Sequence, residues 1–193
     1  MAVRILGIDP GLIHTGFGVI DVEGPHVRFV ETGVINVPKG ELSERLAFIF
    51  KAVDEIARKA RPDFASCEKV FVNMNGGSTL LLGQARGAAI TALAVNGLAV
   101  REFNPTEIKM SVVGAGRATK SQVQEMVGRL LKIDAQLKPD AADALACALT
   151  AAQSSRMLEA TRKEKFHAGR ARSRRATGAR TRRAWEHFAG GKA

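Results

Sequence analysis

The first forty residues commit the chain to a sheet. Val3–Asp9 (VRILGID) is an apolar run of strand length that stops at the turn signal Pro10-Gly11. Thr15–Val22 follows a glycine-bearing turn, and Val27–Val37 follows Gly24-Pro25. Three extended segments separated only by short turns predict an antiparallel meander. The period then changes. Over Glu41–Arg58, residues Leu42, Leu46, Ile49, Phe50, Val53 and Ile56 recur at helical spacing, with charges on the other face. Arg61-Pro62-Asp63 ends that helix, and Phe64–Val72 is the next predicted strand. Asn73–Ser78 is a polar loop with Ser78 as N-cap, ahead of a mostly apolar helix, Thr79–Asn96, expected to be buried on most faces. Leu98–Phe103 is a short fifth strand. Pro105 opens a helical turn that stops near Gly114-Ala115-Gly116, Thr119 caps Lys120–Leu131, and Pro139 starts a last helix reaching about Ser155. Strands first, then alternating helix and strand, predict an α/β fold: one mixed five-stranded sheet with helices on both faces.

At 193 residues and 46% hydrophobic the chain can bury one good core, expected over residues 1–155. The net charge of +10 is unevenly placed. From Ser154 onward there are twelve Lys/Arg against three Asp/Glu, whereas residues 1–153 carry seventeen against sixteen. Residues 156–193 are rich in Arg, Ala, Gly and Ser and poor in large apolar side chains, so they read as a disordered or only locally helical basic arm suited to a polyanion. The alternative for that arm is a solubilising extension. Cys67 and Cys147 lie far apart in apolar runs, which is neither a disulfide framework nor a zinc spacing and fits buried thiols in a reducing cytosol. The N-terminus begins a core strand with no signal-peptide pattern, and no apolar run is expected to span a membrane.

Four acids sit where a structural role explains them poorly. Asp9 and Glu68 end apolar runs, and Asp140 and Asp143 lie three apart in the Ala-rich stretch PDAADALACAL, on one helical face. Each has a simpler reading: an Asx turn before Pro-Gly for Asp9, an edge-strand charge for Glu68, and helix N-terminal acids for the pair. Requiring all of these at once is less economical than one site for divalent cations, because buried carboxylates need a cation and no Lys or Arg recurs beside all four. The segment Asp9–Gly16 has a second reading, a phosphate-cradling loop in which Gly11 and Gly16 permit close approach or positive φ. Arg86, Lys109 and Lys120 are candidate phosphate contacts, with solvated surface charge as the alternative; Lys120 follows a helix N-cap, where anions are already favoured. Phe71, three residues after Glu68, is either core or an aromatic able to stack on an unpaired base.

Four blocks in order, ILGIDPG-x3-TGFGVI, CEKVFVNMN-x5-LLGQARGAA, IKMSVVGAGRATKSQVQ and PDAADALACAL, resemble the RuvC family of Holliday-junction resolvases over residues 3–152. The resemblance implies a ribonuclease-H-like fold and a homodimer that nicks two opposed strands of a four-way DNA junction, leaving 5′-phosphate and 3′-hydroxyl ends. It implies Asp9, Glu68, Asp140 and Asp143 as the catalytic, metal-binding tetrad for two Mg²⁺, with Mn²⁺ able to substitute. It places DNA contacts on Lys109 and Lys120 and base stacking on Phe71. RuvA and RuvB are the implied branch-migration partners, in a bacterial cytoplasm at the nucleoid. The sequence departs from the common family pattern at Ile13, Lys69 and Gly76-Gly77, and after Leu149 where many members carry a His. Two other functions compete: a nuclease of the same fold acting on structured RNA, and a non-catalytic junction binder. A phosphotransferase would need a second similar domain, for which the chain has no room.

Overall fold

Strand parity sorts the first strand onto two cores. In β1 (Val3–Asp9), Ile5 packs into one apolar cluster, while Leu6 and Ile8 pack into another on the opposite face. The computed structural model describes residues 2–69 and 76–155. β2 (His14–Glu23) pairs antiparallel with β1, and β3 (His26–Asn36) pairs antiparallel with β2, which makes the expected meander. β4 (Phe64–Glu68) lies parallel to β1, and β5 (Val100–Phe103) lies parallel to β4. The sheet order is β3-β2-β1-β4-β5, so the expected mixed five-stranded sheet is present.

Helix α1 (Leu42–Ala60) and helix α2 (Gly76–Val95) cover one face, where Ile49, Val53, Ala57, Ala85, Ala89 and Leu93 pack against Leu6, Ile8 and Val19. Helices α3 (Pro105–Val113), α4 (Lys120–Leu131) and α5 (residues 139–155) cover the other. Local chemistry sets several ends. Asn104 and Pro105 open α3, and Gly114 closes it in the left-handed region with φ 79°. The Thr119 hydroxyl accepts from Gln122 N at 3.3 Å to open α4.

Several boundaries differ from expectation. α1 runs two residues further, because Arg61 adopts the left-handed cap that ends it. β4 stops at Glu68, with Lys69 beyond it; the rest of the expected strand, residues 70–72, lies outside the described residues. α2 starts at Gly76, so Ser78 lies inside its first turn and is not its cap. α2 is also less buried than its composition implies: Ala85, Ala89, Ala92 and Leu93 are buried, but Leu80 and Val95 are each 65% exposed. Over Gly77–Val95 this helix is long and apolar enough to cross a membrane by length and composition, contrary to expectation. It packs on α1 and the sheet, as a core helix does. The basic arm, 156–193, lies outside the described residues.

Candidate active site

The acids are brought together by register and by missing side chains. Asp9 ends β1 on the same face as Ile5 and Gly7, and Glu68 ends β4 on the same face as Phe64. Because Ile8 pairs with Cys67, Asp9 and Glu68 come out at neighbouring strand ends. α5 then lies across three glycines. A Cβ on Gly7 would collide with the Ala144 carbonyl, one on Gly16 with the Asp140 carbonyl, and one on Gly18 with the Leu145 side chain at 2.5 Å. Gly16 is the register partner of Asp9. Seating the first turn of α5 on Gly16 therefore delivers Asp140 and Asp143 to the end of the sheet that carries Asp9 and Glu68. Small residues on both sides make the approach possible, since Ala141, Ala144 and Ala148 are almost completely buried. Gly11 and Gly16 do not serve through positive φ; among the described residues the glycines with positive φ are Gly24, Gly40, Gly97 and Gly114.

The electrostatics record the convergence. Burial, and then the charges of Asp143, Glu68 and Asp140, raise the Asp9 carboxyl from its ordinary range to about 7, with Lys120 acting in the opposite sense. Glu68 is raised by burial and by Asp143, and opposed by Lys120 and Lys109. Asp143 has a cation of its own: Lys120 Nζ lies 3.4 Å from its Oδ2, and that carboxylate raises the Lys120 ammonium above its ordinary value. The partner comes from α4, one element away in sequence.

The loop after Asp9 is tied down by its own neighbours. The Thr15 hydroxyl donates to Gly11 O at 2.8 Å, Gly11 N donates back to Thr15 Oγ1 at 3.2 Å, and Arg45 donates to Leu12 O at 2.7 Å. With its Gly11 amide so engaged, this loop is a poor phosphate cradle.

Arg86 is placed differently from Lys109 and Lys120. It sits on the α2 side of the sheet, with its side chain 18% exposed and its guanidinium on Glu102 Oε1 at 2.5 Å and Glu68 O at 3.3 Å. A guanidinium engaged in this way points away from the phosphate contact expected of it. Phe71 lies outside the described residues. No group of three or more His, Cys, Asp or Glu is gathered into a closed ligand set among the described residues; Asp9 is instead within electrostatic reach of the other three acids. Their chemistry still fits hard divalent cations: four carboxylates from three elements, oxygen donors only, with Asp9 raised first by burial and then by its anionic neighbours.

The family model described as crossover junction endodeoxyribonuclease RuvC matches residues 5–151. The crossover junction endodeoxyribonuclease RuvC of Burkholderia vietnamiensis is 55% identical over 156 residues, covering 81% of this chain and 87% of that one. The protein of the same name from Bordetella parapertussis is 57% identical over 148 residues, covering 76% and 81%. Among solved structures, Thermus thermophilus RuvC in complex with a Holliday junction substrate superposes with a TM-score of 0.75 at 33% identity, covering 80% of this chain and 96% of that one. The yeast mitochondrial Holliday junction resolvase Ydc2 shares the fold, with a TM-score of 0.65 at 14% identity, covering 85% and 86%. The acidic strand ends, the helix seated over them and these matches agree, and the chain belongs to the RuvC family of crossover junction endodeoxyribonucleases.

Proposed function

We propose that this crossover junction endodeoxyribonuclease cuts the two opposed strands of a Holliday junction at the face formed by the ends of β1 and β4 and the first turns of α5. The observation that carries the assignment is the convergence of Asp9, Glu68, Asp140 and Asp143 from three separate elements, with Asp9 raised to about 7 by burial and then by its anionic neighbours. These four side chains would hold two Mg²⁺, or Mn²⁺ in their place. When bound, the ions activate a water for attack on the scissile phosphate and stabilise the departing 3′ oxygen.

The remaining work belongs to the protein. Asp9 lies at the end of a buried strand, where ionisation at neutral pH depends on a cation. Lys120 pairs with Asp143 and stands within electrostatic range of Asp9 and Glu68, so it is positioned to take a phosphate of the bound strand. Lys109 reaches the same field through Glu68 and supplies a second phosphate contact. Phe71 stacks on a base unpaired at the junction centre. Residues 1–155 are the catalytic unit and 156–193 a basic arm. A homodimer presents two such sites to one junction, leaves 5′-phosphate and 3′-hydroxyl ends, works with RuvA and RuvB, and acts at the nucleoid in the cytoplasm.

The test is cleavage of a synthetic four-way junction in Mg²⁺ and in EDTA, by the parent and by Asp9→Asn. The parent nicks opposed strands only with metal, and Asp9→Asn binds the junction without cutting it. Substantial cutting by Asp9→Asn in Mg²⁺ refutes the site.

A further inference from the structure

Glu68 stands at a strand end that the sheet holds from one side only, through its register partner Phe103 on β5. Pairing between β1 and β4 stops at Cys67, and β4 stops one residue later. On the other side, Lys69 N donates to Phe103 O at 2.8 Å. The Glu68 carbonyl is taken by Arg86, whose Nε donates to it at 3.3 Å from the opposite face of the sheet. The same guanidinium lies 2.5 Å from Glu102 Oε1 on β5 and 3.6 Å from Cys67 Sγ. Cys67 and Glu102 are register partners, so one planar group spans the ends of two adjacent strands.

We infer that Arg86, held by Glu102, is a positioning residue that fixes the Glu68 peptide and thereby the placement of the Glu68 carboxylate against Asp9. The inference rests on the proposed acidic site. A guanidinium can satisfy several acceptors in one plane, whereas an ammonium is a point charge on a flexible stem. Lysine at this position keeps the charge and loses the fork. That separates positioning from phosphate contact, because lysine remains an effective phosphate binder.

The experiment compares the parent with Arg86→Lys, Arg86→Gln and Glu102→Ala. It measures single-turnover junction cleavage in Mg²⁺, junction affinity across a salt series, melting temperature, and Mn²⁺ affinity of the DNA-free protein by electron paramagnetic resonance. Arg86→Lys and Glu102→Ala each lose about 10–100-fold in cleavage rate, and in Mn²⁺ affinity by a comparable factor, as supporting groups around a metal site do. Junction affinity and its salt slope stay at parental values. Glu102→Gln, which keeps an acceptor oxygen, recovers part of the rate. If Arg86→Gln does not fold, Arg86→Lys and Glu102→Ala decide. Cleavage within twofold of the parent in both of those variants overturns the inference. So does parental cleavage by Arg86→Lys together with a shallower salt slope in Arg86→Gln, the mark of a phosphate contact. A parent that fails to cut junctions in Mg²⁺ overturns the proposed function, and the Mn²⁺ comparison then decides the role of Arg86 alone.

Discussion

Substituting Gly16 by alanine tests how the site is built without touching a carboxylate. A Cβ at this position would meet the Asp140 carbonyl far inside contact distance and stand 3.0 Å from Ala141 N. Both are backbone atoms of the first turn of α5, so no side-chain rotation relieves the clash. Restoring ordinary separation takes a shift of roughly 1.5 Å between helix and sheet. Overpacking of this kind costs about 1–3 kcal/mol, which a core of this extent survives. The same shift carries Asp140 and Asp143 away from Asp9 and Glu68, and a misplacement of about 1 Å at reacting groups lowers rates by roughly 100-fold. Gly16→Ala is therefore expected to melt a few degrees low, bind junctions like the parent, and cut them about two orders of magnitude more slowly under single-turnover conditions. Gly128→Ala is the control, since its Cβ meets only Ile133 O at 3.7 Å, and it should cut normally. Parental cleavage by Gly16→Ala would show that α5 does not set the acid geometry through this contact.

Three further outcomes follow from charge. Asp9 in the folded chain keeps its proton up to about pH 7, whereas an unfolded Asp releases it near about 3.9, so the folded state holds the extra proton across that window and loses stability as pH rises through it. Metal-free Asp9→Asn should then melt above the parent at pH 8, with the difference narrowing as pH falls and closing only near about pH 4; a gap independent of pH refutes the shift. Lys109→Ala and Lys120→Ala should each weaken junction binding and make its salt slope shallower by about one unit, and unchanged slopes in both return them to solvated surface charge. Removing residues 156–193, whose twelve Lys/Arg face three Asp/Glu from Ser154 onward, should weaken binding to linear duplex and junction alike at low salt while cleavage persists; lost junction selectivity refutes that view of the arm.

What was legible in the sequence was whatever the chain settles locally. Pro105 and Thr119 mark the starts of α3 and α4 to the residue, and Gly114-Ala115-Gly116 marks the region where α3 ends, because capping satisfies backbone groups within one turn. The strands are legible from apolar runs and turn residues. The acids stand out because each interrupts or ends such a run. The burial of α2 was not legible in the same way. Its composition is apolar on nearly every face, yet its buried residues are chiefly small alanines set against α1 and the sheet, so composition overstates how much of it is covered.

What stayed hidden depends on two distant segments meeting. Gly7, Gly16 and Gly18 look like strand glycines of no consequence until α5 lies over them, and only then does their lack of a side chain become the reason that Asp140 and Asp143 reach Asp9. Lys120 and Asp143 are 23 residues apart, and their pairing follows from the packing of α4 beside α5. Arg86 shows the converse. A cation near an acidic site suggests a phosphate contact, but the helix that carries it packs on the opposite face of the sheet, where Glu102 and the Glu68 carbonyl take its donors. The type of a residue limits what it can bind. The face of the sheet on which it emerges decides which of those partners it meets, and that face is set by strand order, which no single run of residues encodes.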